Sequence, residues 1–181
     1  MNPKPAVAVL RDSPVAATWD ADGGMGIIVG QKAMAAAMEK ARVTGLGTVA
    51  VRNGRHFGAA GYYAHMAAKQ DMVGMAMCNV PPIANAAGGL ERVYGTNPIA
   101  MGAPVEGGHA FLLDMATTAV AAGKLEIAMR QGKPLPAGWA VDATGADTGD
   151  PTILRQGGAL LPSGSRPDPA RETSRATPAR A

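Results

Sequence analysis

The sequence has few aromatic residues and a single cysteine. Aromatic side chains make up 4% of its 181 residues, and Ala, Gly and Met dominate the apolar share. Packing is therefore expected to depend on close backbone approach and on flexible methionine side chains. Cys78 has no second cysteine for a disulfide and no Cys-x-x-Cys partner for zinc or redox chemistry. A lone free thiol is typical of a protein in the reducing cytoplasm.

The sequence also lacks a strong charge imbalance. Its 17 Lys and Arg residues against 14 acidic residues give a net charge of +3, and four of the arginines lie near the C-terminus: Arg166, Arg171, Arg175 and Arg180. The pI of about 9.2 is therefore mostly a property of the tail. Because the body carries no basic stripe with interleaved aromatics, nucleic acid is not expected as a partner.

Long apolar runs are absent as well. Gly, Pro or charged residues interrupt each apolar stretch before it reaches the length of a membrane-spanning helix. Met1–Pro5 is not followed by the apolar core of a secretory signal. We therefore expect a soluble protein without membrane association.

The spacing of apolar residues predicts one α/β domain over residues 1–162. The pattern predicts strands over Ala6–Leu10, Ala16–Trp19, Gly47–Val51, Met72–Cys78 (buried) and Ala110–Leu113, and helices over Gln31–Val43, Ala59–Gln70 and from Met115 to Gln131. Residues 79–89 are predicted to form an irregular loop. Residues 163–181 have no apolar residue larger than alanine, so we expect a disordered tail.

The glycines of Gly24–Gly30 suggest a dinucleotide-binding loop, but their spacing argues against it. A Rossmann fingerprint needs Gly-x-Gly-x-x-Gly and an acidic residue about 20 positions further on. The corresponding region here contains Arg52 and Asn53 instead. These glycines are therefore interpreted as a turn and a helix entry.

His56 lies at a predicted junction between a strand and a helix. Such junctions expose a side chain on a rigid scaffold and leave backbone N–H groups free at the helix start. His56 is therefore a candidate acid/base, although an isolated histidine also occurs as an ordinary polar loop residue. His65 is expected on a solvated helix face and His109 in an exposed turn, and the three histidines show no metal-ligand spacing.

Asp114 ends a predicted strand and has two interpretations. It could satisfy the N–H groups at the start of the following helix. It could equally hold an imidazole in one tautomer or bind a cofactor hydroxyl. Its position in the sequence does not choose between them.

Four motifs together resemble the malate/L-lactate dehydrogenase family of NAD(P)-dependent oxidoreductases, which includes ureidoglycolate dehydrogenase and diketogulonate reductase relatives. They are Asn53–Tyr63 (NGRHFGAAGYY), Tyr94–Ala100 (YGTNPIA), Leu113–Thr118 (LDMATT) and Gly138–Asp142 (GWAVD). The likeness runs from about Pro3 to Pro162. It implies a non-Rossmann α/β cofactor-binding domain with a mixed sheet packed on helices, and homodimers.

The resemblance also implies roles for particular residues. His56 matches the proton donor and acceptor of the His-Phe-Gly motif. Asp114, Met115 and Ala116 match an Asp-Met-Ala cofactor contact. Asn79 and Val80 fall where relatives place a cofactor-contacting loop, although a small hydroxyl residue is expected at position 80. The implied reaction transfers hydride between NAD or NADP and a 2-hydroxy or 2-oxo acid such as malate or lactate.

Two departures from the family lead to a second hypothesis. Relatives carry an N-terminal helical segment whose arginines bind the substrate carboxylate, and a long apolar helix beyond the position of Pro162. This sequence matches neither segment. We therefore expect a chain truncated at both ends, with a frameshift near Ser163 as one origin. The alternative function is an inactive remnant that binds dinucleotide or a partner chain.

Overall fold

A computed structural model of the chain describes residues 1–107 and 109–165. In chain order the elements are β1 (Ala8–Asp12), β2 (Ala16–Asp20), α1 (Gly26–Thr44), β3 (Thr48–Arg52), α2 (Ala60–Ala68), β4 (Gly74–Met77), β5 (Ala84–Asn85), β6 (Arg92–Tyr94), β7 (Ile99–Ala103), β8 (Phe111–Met115), α3 (Ala122–Gln131), β9 (Ala140–Val141), a 3-10 turn (Ile153–Arg155) and β10 (Ala159–Leu160). The chain divides into two units. The first contains Met1–Met77 and Ile99–Asp114, and the second contains Cys78–Pro98 and the described residues from Met115 on.

The first unit begins with a three-stranded mixed sheet in the order β1-β2-β3. The predicted pair of N-terminal strands is confirmed, since β1 and β2 pair antiparallel. β3 pairs parallel with β2. A parallel pair needs a long crossover, which α1 supplies. The C-cap residue Gly45, with a φ of 81°, follows the last residue of this helix. The helix begins at Gly26, earlier than predicted, so Gly26 and Gly30 lie inside it.

The second sheet, in the order β4-β7-β8, is covered on one face by α2. Gly74 lies opposite Gly102 in the antiparallel register of β4 and β7. A Cβ atom at either glycine would come within 2.6 Å of the Ala64 carbonyl oxygen. Ala60 and Ala100 are buried in the same contact. The small residues of the sequence therefore allow the helix to lie directly on the sheet.

The opposite face of this sheet is exposed. Met75 and Met77 alternate with the residues that face α2, and they are 54% and 58% exposed. The prediction of a fully buried strand is therefore wrong for this face. The reason is that only one face of β4 is covered by a helix, whereas the apolar run of residues suggests burial on both faces.

The second unit is built around a sheet in the order β6-β5-β10-β9. β10 pairs parallel with β5 and antiparallel with β9. Its core contains buried side chains from widely separated segments: Val120, Leu125, Leu135, Ile153 and Leu160. β5 lies within the stretch predicted as an irregular loop, and that prediction is wrong at Ala84–Asn85.

α3 begins seven residues later than predicted. The backbone N–H groups of Thr117 and Ala119 donate to the carbonyl oxygens of Thr96 and Leu161 at 2.9 and 2.8 Å. These long-range bonds keep the segment out of a helix until Ala122. The predicted tail also begins with ordered contacts, because the Ser163 N–H donates to the Thr117 carbonyl at 2.9 Å. The rest of the predicted tail, residues 166–181, lies outside the described residues.

The fold class is confirmed as a mixed α/β structure in which helices pack on mixed sheets. Across the described residues, no helix is long and apolar enough to cross a membrane.

Candidate functional site

His56 lies between the end of β3 and the start of α2, in the first unit. Its side chain is exposed, and the ring Nδ1 accepts a hydrogen bond from the Gly58 N–H at 3.0 Å. Gly58 has a φ of 80°, a conformation that glycine adopts without steric cost. With Nδ1 acting as acceptor, the proton of the neutral ring resides on Nε2.

The loop that carries His56 rests on an aromatic pair and on glycines of α1. The Phe57 and Tyr63 rings stack with centroids 5.2 Å apart and planes at 12°. The buried Tyr63 hydroxyl donates to the Phe57 carbonyl oxygen. A Cβ atom at Gly26 would lie 2.7 Å from Phe57 Cβ, and one at Gly30 would lie 2.9 Å from the Tyr63 ring. The glycines thus provide close packing beneath the loop.

Asp114 lies in β8, and its carboxylate binds the start of α2. Oδ2 accepts a hydrogen bond from the Gly61 N–H at 2.8 Å. Ala59, the N-cap residue of α2, provides no side-chain cap. Of the two sequence interpretations, the helix acid is present, but it serves α2 rather than the helix that follows. A Cβ atom at Gly61 would lie 2.7 Å from Oδ2, so glycine lets the carboxylate approach.

Asn79 and Val80 lie in the second unit, just after β4. The Val80 N–H donates to Asn97 Oδ1 at 3.0 Å, and Asn97 itself has a φ of 30°. Val80 is half-buried and Asn79 is exposed. The backbone of this loop is therefore held by the Asn97 side chain, while Val80 has no side-chain hydroxyl to offer.

Met115 and Ala116 lead from β8 into the second unit. Met115 is 41% exposed and Ala116 is half-buried. The next residue, Thr117, holds the segment through its N–H and its hydroxyl, which both donate to the Thr96 carbonyl, at 2.9 and 3.2 Å. Met115 is thus presented at the end of a strand on an anchored backbone.

His65 differs from its sequence prediction. It is half-buried, and its Nδ1 is buried with no hydrogen-bond partner among the residues described, so a solvated helix face does not account for it. It lines a cavity of about 520 Å³ together with Lys69, Asp71 and His109. His109 is exposed, as predicted. Over residues 1–107 and 109–165, no three His, Cys, Asp or Glu side chains group as metal ligands.

The structure brings two of the predicted site residues to the same end of one helix. The His56 loop enters α2 through Gly58, and Asp114 binds the amide of Gly61. The role of Tyr63 was not predicted from the sequence. Phe57 precedes the predicted helix and Tyr63 lies within it, and this spacing alone does not reveal the hydrogen bond between them.

Residues 1–167 match the malate/L-lactate dehydrogenase family. The chain belongs to this family. The chain is 49% identical over 164 residues to a malate dehydrogenase of Pyrococcus abyssi, covering 91% of this chain and 45% of that protein. It is 44% identical over 164 residues to an L-sulfolactate dehydrogenase of Methanocaldococcus jannaschii, with coverages of 91% and 47%. The chain thus spans about half the length of the curated relatives it matches.

Solved structures of the malate/L-lactate dehydrogenase family agree with the fold. A malate dehydrogenase of Entamoeba histolytica superposes with a TM-score of 0.86 at 32% identity, covering 94% of this chain and 48% of that one. The sulfolactate dehydrogenase of M. jannaschii gives a TM-score of 0.77 at 42% identity, with coverages of 97% and 50%. The resemblance found in the motifs is therefore confirmed at the level of family and fold.

Proposed function

We propose that this chain carries the acid/base half of a dehydrogenase reaction that interconverts a 2-hydroxy acid and a 2-oxo acid, with NAD or NADP as the hydride carrier. The observation that carries the proposal is the exposed His56 ring, whose Nδ1 is held by the Gly58 N–H. Membership of the malate/L-lactate dehydrogenase family supports the reaction class.

In this proposal His56 exchanges a proton with the substrate oxygen at Nε2. Nε2 has no hydrogen-bond partner among the described residues, so it is the nitrogen left for a ligand. In the neutral ring it bears the proton and can donate to a carbonyl oxygen. Complete proton transfer starts from the imidazolium, in which Nδ1 is also protonated. The Gly58 N–H must then move away from Nδ1.

Asp114 and Asn79 suit a dinucleotide as hydrogen-bonding groups. Both residues are exposed. While Oδ2 of Asp114 is occupied by Gly61, its Oδ1 and the Asn79 side-chain amide have no partner within the described chain. Met115 and Ala116 would add apolar contact, and Val80 would add apolar contact in place of a hydroxyl. When bound, the nicotinamide supplies or accepts hydride.

The test is turnover of the purified chain. Oxidation of NADH or NADPH by oxaloacetate, pyruvate or sulfopyruvate is followed by absorbance, together with nicotinamide fluorescence to report binding. The proposal expects turnover that His56→Gln reduces by at least about a hundredfold, the lower end of general acid/base catalysis. His109→Gln, which changes an exposed histidine, is the matched control and should leave turnover unchanged.

Binding without turnover would instead favour the alternative, an inactive remnant that binds dinucleotide. We propose further that the protein is cytoplasmic, which its lone free thiol supports, and that it forms homodimers, as the family resemblance implies. Sedimentation equilibrium of the purified chain tests the dimer, and titration with NADH and NADPH in parallel decides between the two cofactors.

A further inference from the structure

We propose that Tyr63 is a positioning residue for His56, acting through the peptide unit between Phe57 and Gly58. This inference rests on the proposed function, because it gives His56 the role of acid/base. Tyr63 donates to one end of that peptide, and the other end holds the His56 ring.

The geometry of a peptide unit links the two hydrogen bonds. The Tyr63 hydroxyl donates to the Phe57 carbonyl oxygen. The N–H of the same peptide belongs to Gly58 and donates to His56 Nδ1 at 3.0 Å. A peptide unit is planar, and its C=O and N–H point in opposite directions. Fixing the carbonyl therefore also fixes the direction of the N–H and, through it, the tautomer of His56.

This peptide needs such a tether because Gly58 can rotate. Gly58 has a φ of 80°, and glycine populates positive and negative φ about equally well. A rotation of the peptide plane would turn the N–H away from Nδ1 without a steric penalty at Gly58. The hydrogen bond from Tyr63 opposes this rotation while the His56 ring is neutral, because the carbonyl would lose its donor. The rotation that frees Nδ1 for protonation in the proposed reaction therefore has to break this bond.

Tyr63 is itself held in place. Its side chain is 3% exposed, and its ring lies between Phe57, on which it stacks, and Gly30 of α1. Burial raises the pKa of the Tyr63 phenol above its usual value, with a smaller contribution from Tyr62. The hydroxyl therefore remains a hydrogen-bond donor throughout the neutral pH range.

The experiment measures the tautomer of His56 directly. The chain contains three histidines, so ¹⁵N labelling of histidine gives three sets of ring signals, and His56→Gln assigns one of them. The wild type should show His56 with an unprotonated Nδ1. Tyr63→Phe should shift the ratio of the Nε2–H to the Nδ1–H tautomer by about fivefold toward Nδ1–H, the size expected for the loss of one neutral hydrogen bond.

Gly30→Ala is a second variant that reaches the same contact from α1. Its Cβ atom would lie 2.9 Å from ring atoms of Tyr63 and should displace the hydroxyl from the Phe57 carbonyl. Alanine favours the helix, so this variant does not depend on tolerating a lost side-chain group. We expect its His56 signals to move in the same direction as those of Tyr63→Phe.

Tyr62→Phe is the control, since Tyr62 is 52% exposed and its hydroxyl has no partner in the described part of the chain. Unchanged His56 tautomers in folded Tyr63→Phe and Gly30→Ala would overturn the proposal, as would an equal change in Tyr62→Phe. The readout does not depend on turnover. A tautomer shift together with full activity of His56→Gln would leave the positioning intact and reject the proposed function.

Discussion

Asp114 illustrates how one side chain can stabilise an element that is distant in sequence. Its carboxylate accepts the Gly61 N–H at 2.8 Å, although the two residues are 53 positions apart. The N-terminal N–H groups of a helix lack intrahelical partners, and the N-cap residue Ala59 supplies none. Asp114 therefore performs from β8 the task that a local N-cap side chain usually performs. A negative charge at the N-terminal end of α2 also interacts favourably with the helix macrodipole.

We predict that Asp114→Ala lowers the free energy of unfolding by about 1 kcal/mol, the usual value for a lost helix cap. Asp114→Asn should lower the free energy of unfolding by less, because its amide oxygen can still accept from the Gly61 N–H although the charge is gone. Urea denaturation followed by circular dichroism measures both. Equal stability of Asp114→Ala and the wild type would show that the carboxylate does not cap α2.

Cys78 lies just after β4 and is half-buried. Burial raises the pKa of its thiol above the ordinary value. Since the thiolate is the reactive form, the thiol should be alkylated more slowly at neutral pH than a free cysteine. We predict that the rate of reaction with iodoacetamide rises with pH around a midpoint above that of a cysteine peptide measured in parallel. A midpoint at or below that of the peptide would contradict this prediction.

At the scale of elements, the contact of α2 with its sheet depends on glycines, which have no side chain to keep the helix away. Gly74 and Gly102 face each other across β4 and β7, and the Ala64 carbonyl lies over both. The closeness of this approach explains how a sequence with few aromatic residues still buries a helix. It also makes the contact sensitive to any added volume.

We predict that Gly102→Ala destabilises the protein by roughly 1–3 kcal/mol, because its Cβ atom would overlap the backbone of α2 at Ala64. Gly123→Ala is the matched control. Gly123 lies in α3 with no atom within 4 Å of its added Cβ, so the same change there should stabilise by up to about 1 kcal/mol. Thermal unfolding of the two variants should therefore show shifts of opposite sign. A destabilised Gly123→Ala or a neutral Gly102→Ala would refute the view that close contact at Gly102 holds α2 on its sheet.

Elements with a clear apolar period were predictable from the sequence, and those defined by distant contacts were not. β3 and α2 follow local patterns, and the structure places them within a few residues of the prediction. The start of α3 was missed because long-range backbone bonds hold Thr117 and Ala119. Two-residue strands such as β5 are too short to show any period. At the site, His56 could be singled out from its motif, whereas the Gly58 amide and Tyr63 become visible only when their hydrogen bonds are seen.

At the scale of the whole molecule, each of the two units contains an aspartate whose carboxylate accepts several hydrogen bonds from residues of the same unit. In the first unit Asp20 accepts from the Asp22 N–H at 2.8 Å, and from the side chains of Asn53 and Arg52. In the second unit Asp150 accepts from the N–H and hydroxyl of Thr152, each at 2.8 Å. The bonds from the backbone N–H groups contribute most to lowering the pKa of both carboxyls below 3.8.

A lowered pKa in the folded state fixes the sign of the pH dependence. The unfolded chain binds the proton more readily, so each carboxylate stabilises its unit above the ordinary pKa of about 3.8. That stabilisation is lost as the pH falls through the lower folded pKa. The two units can be followed separately, because one tryptophan, Trp19, lies in the first and the other, Trp139, lies in the second.

We predict that Asp20→Asn flattens the pH dependence of the transition reported by Trp19, measured below pH 4 in a Trp139→Phe background. Asp150→Asn should do the same for Trp139 in a Trp19→Phe background. The amide oxygen can still accept the backbone N–H in each variant, so the backbone turn is kept. The titrating charge and the acceptor at the second oxygen are lost. If each substitution alters only the tryptophan of its own unit, the units respond to acid separately. If each alters both transitions equally, the units unfold as one cooperative body, and the acid sensitivity belongs to the whole chain.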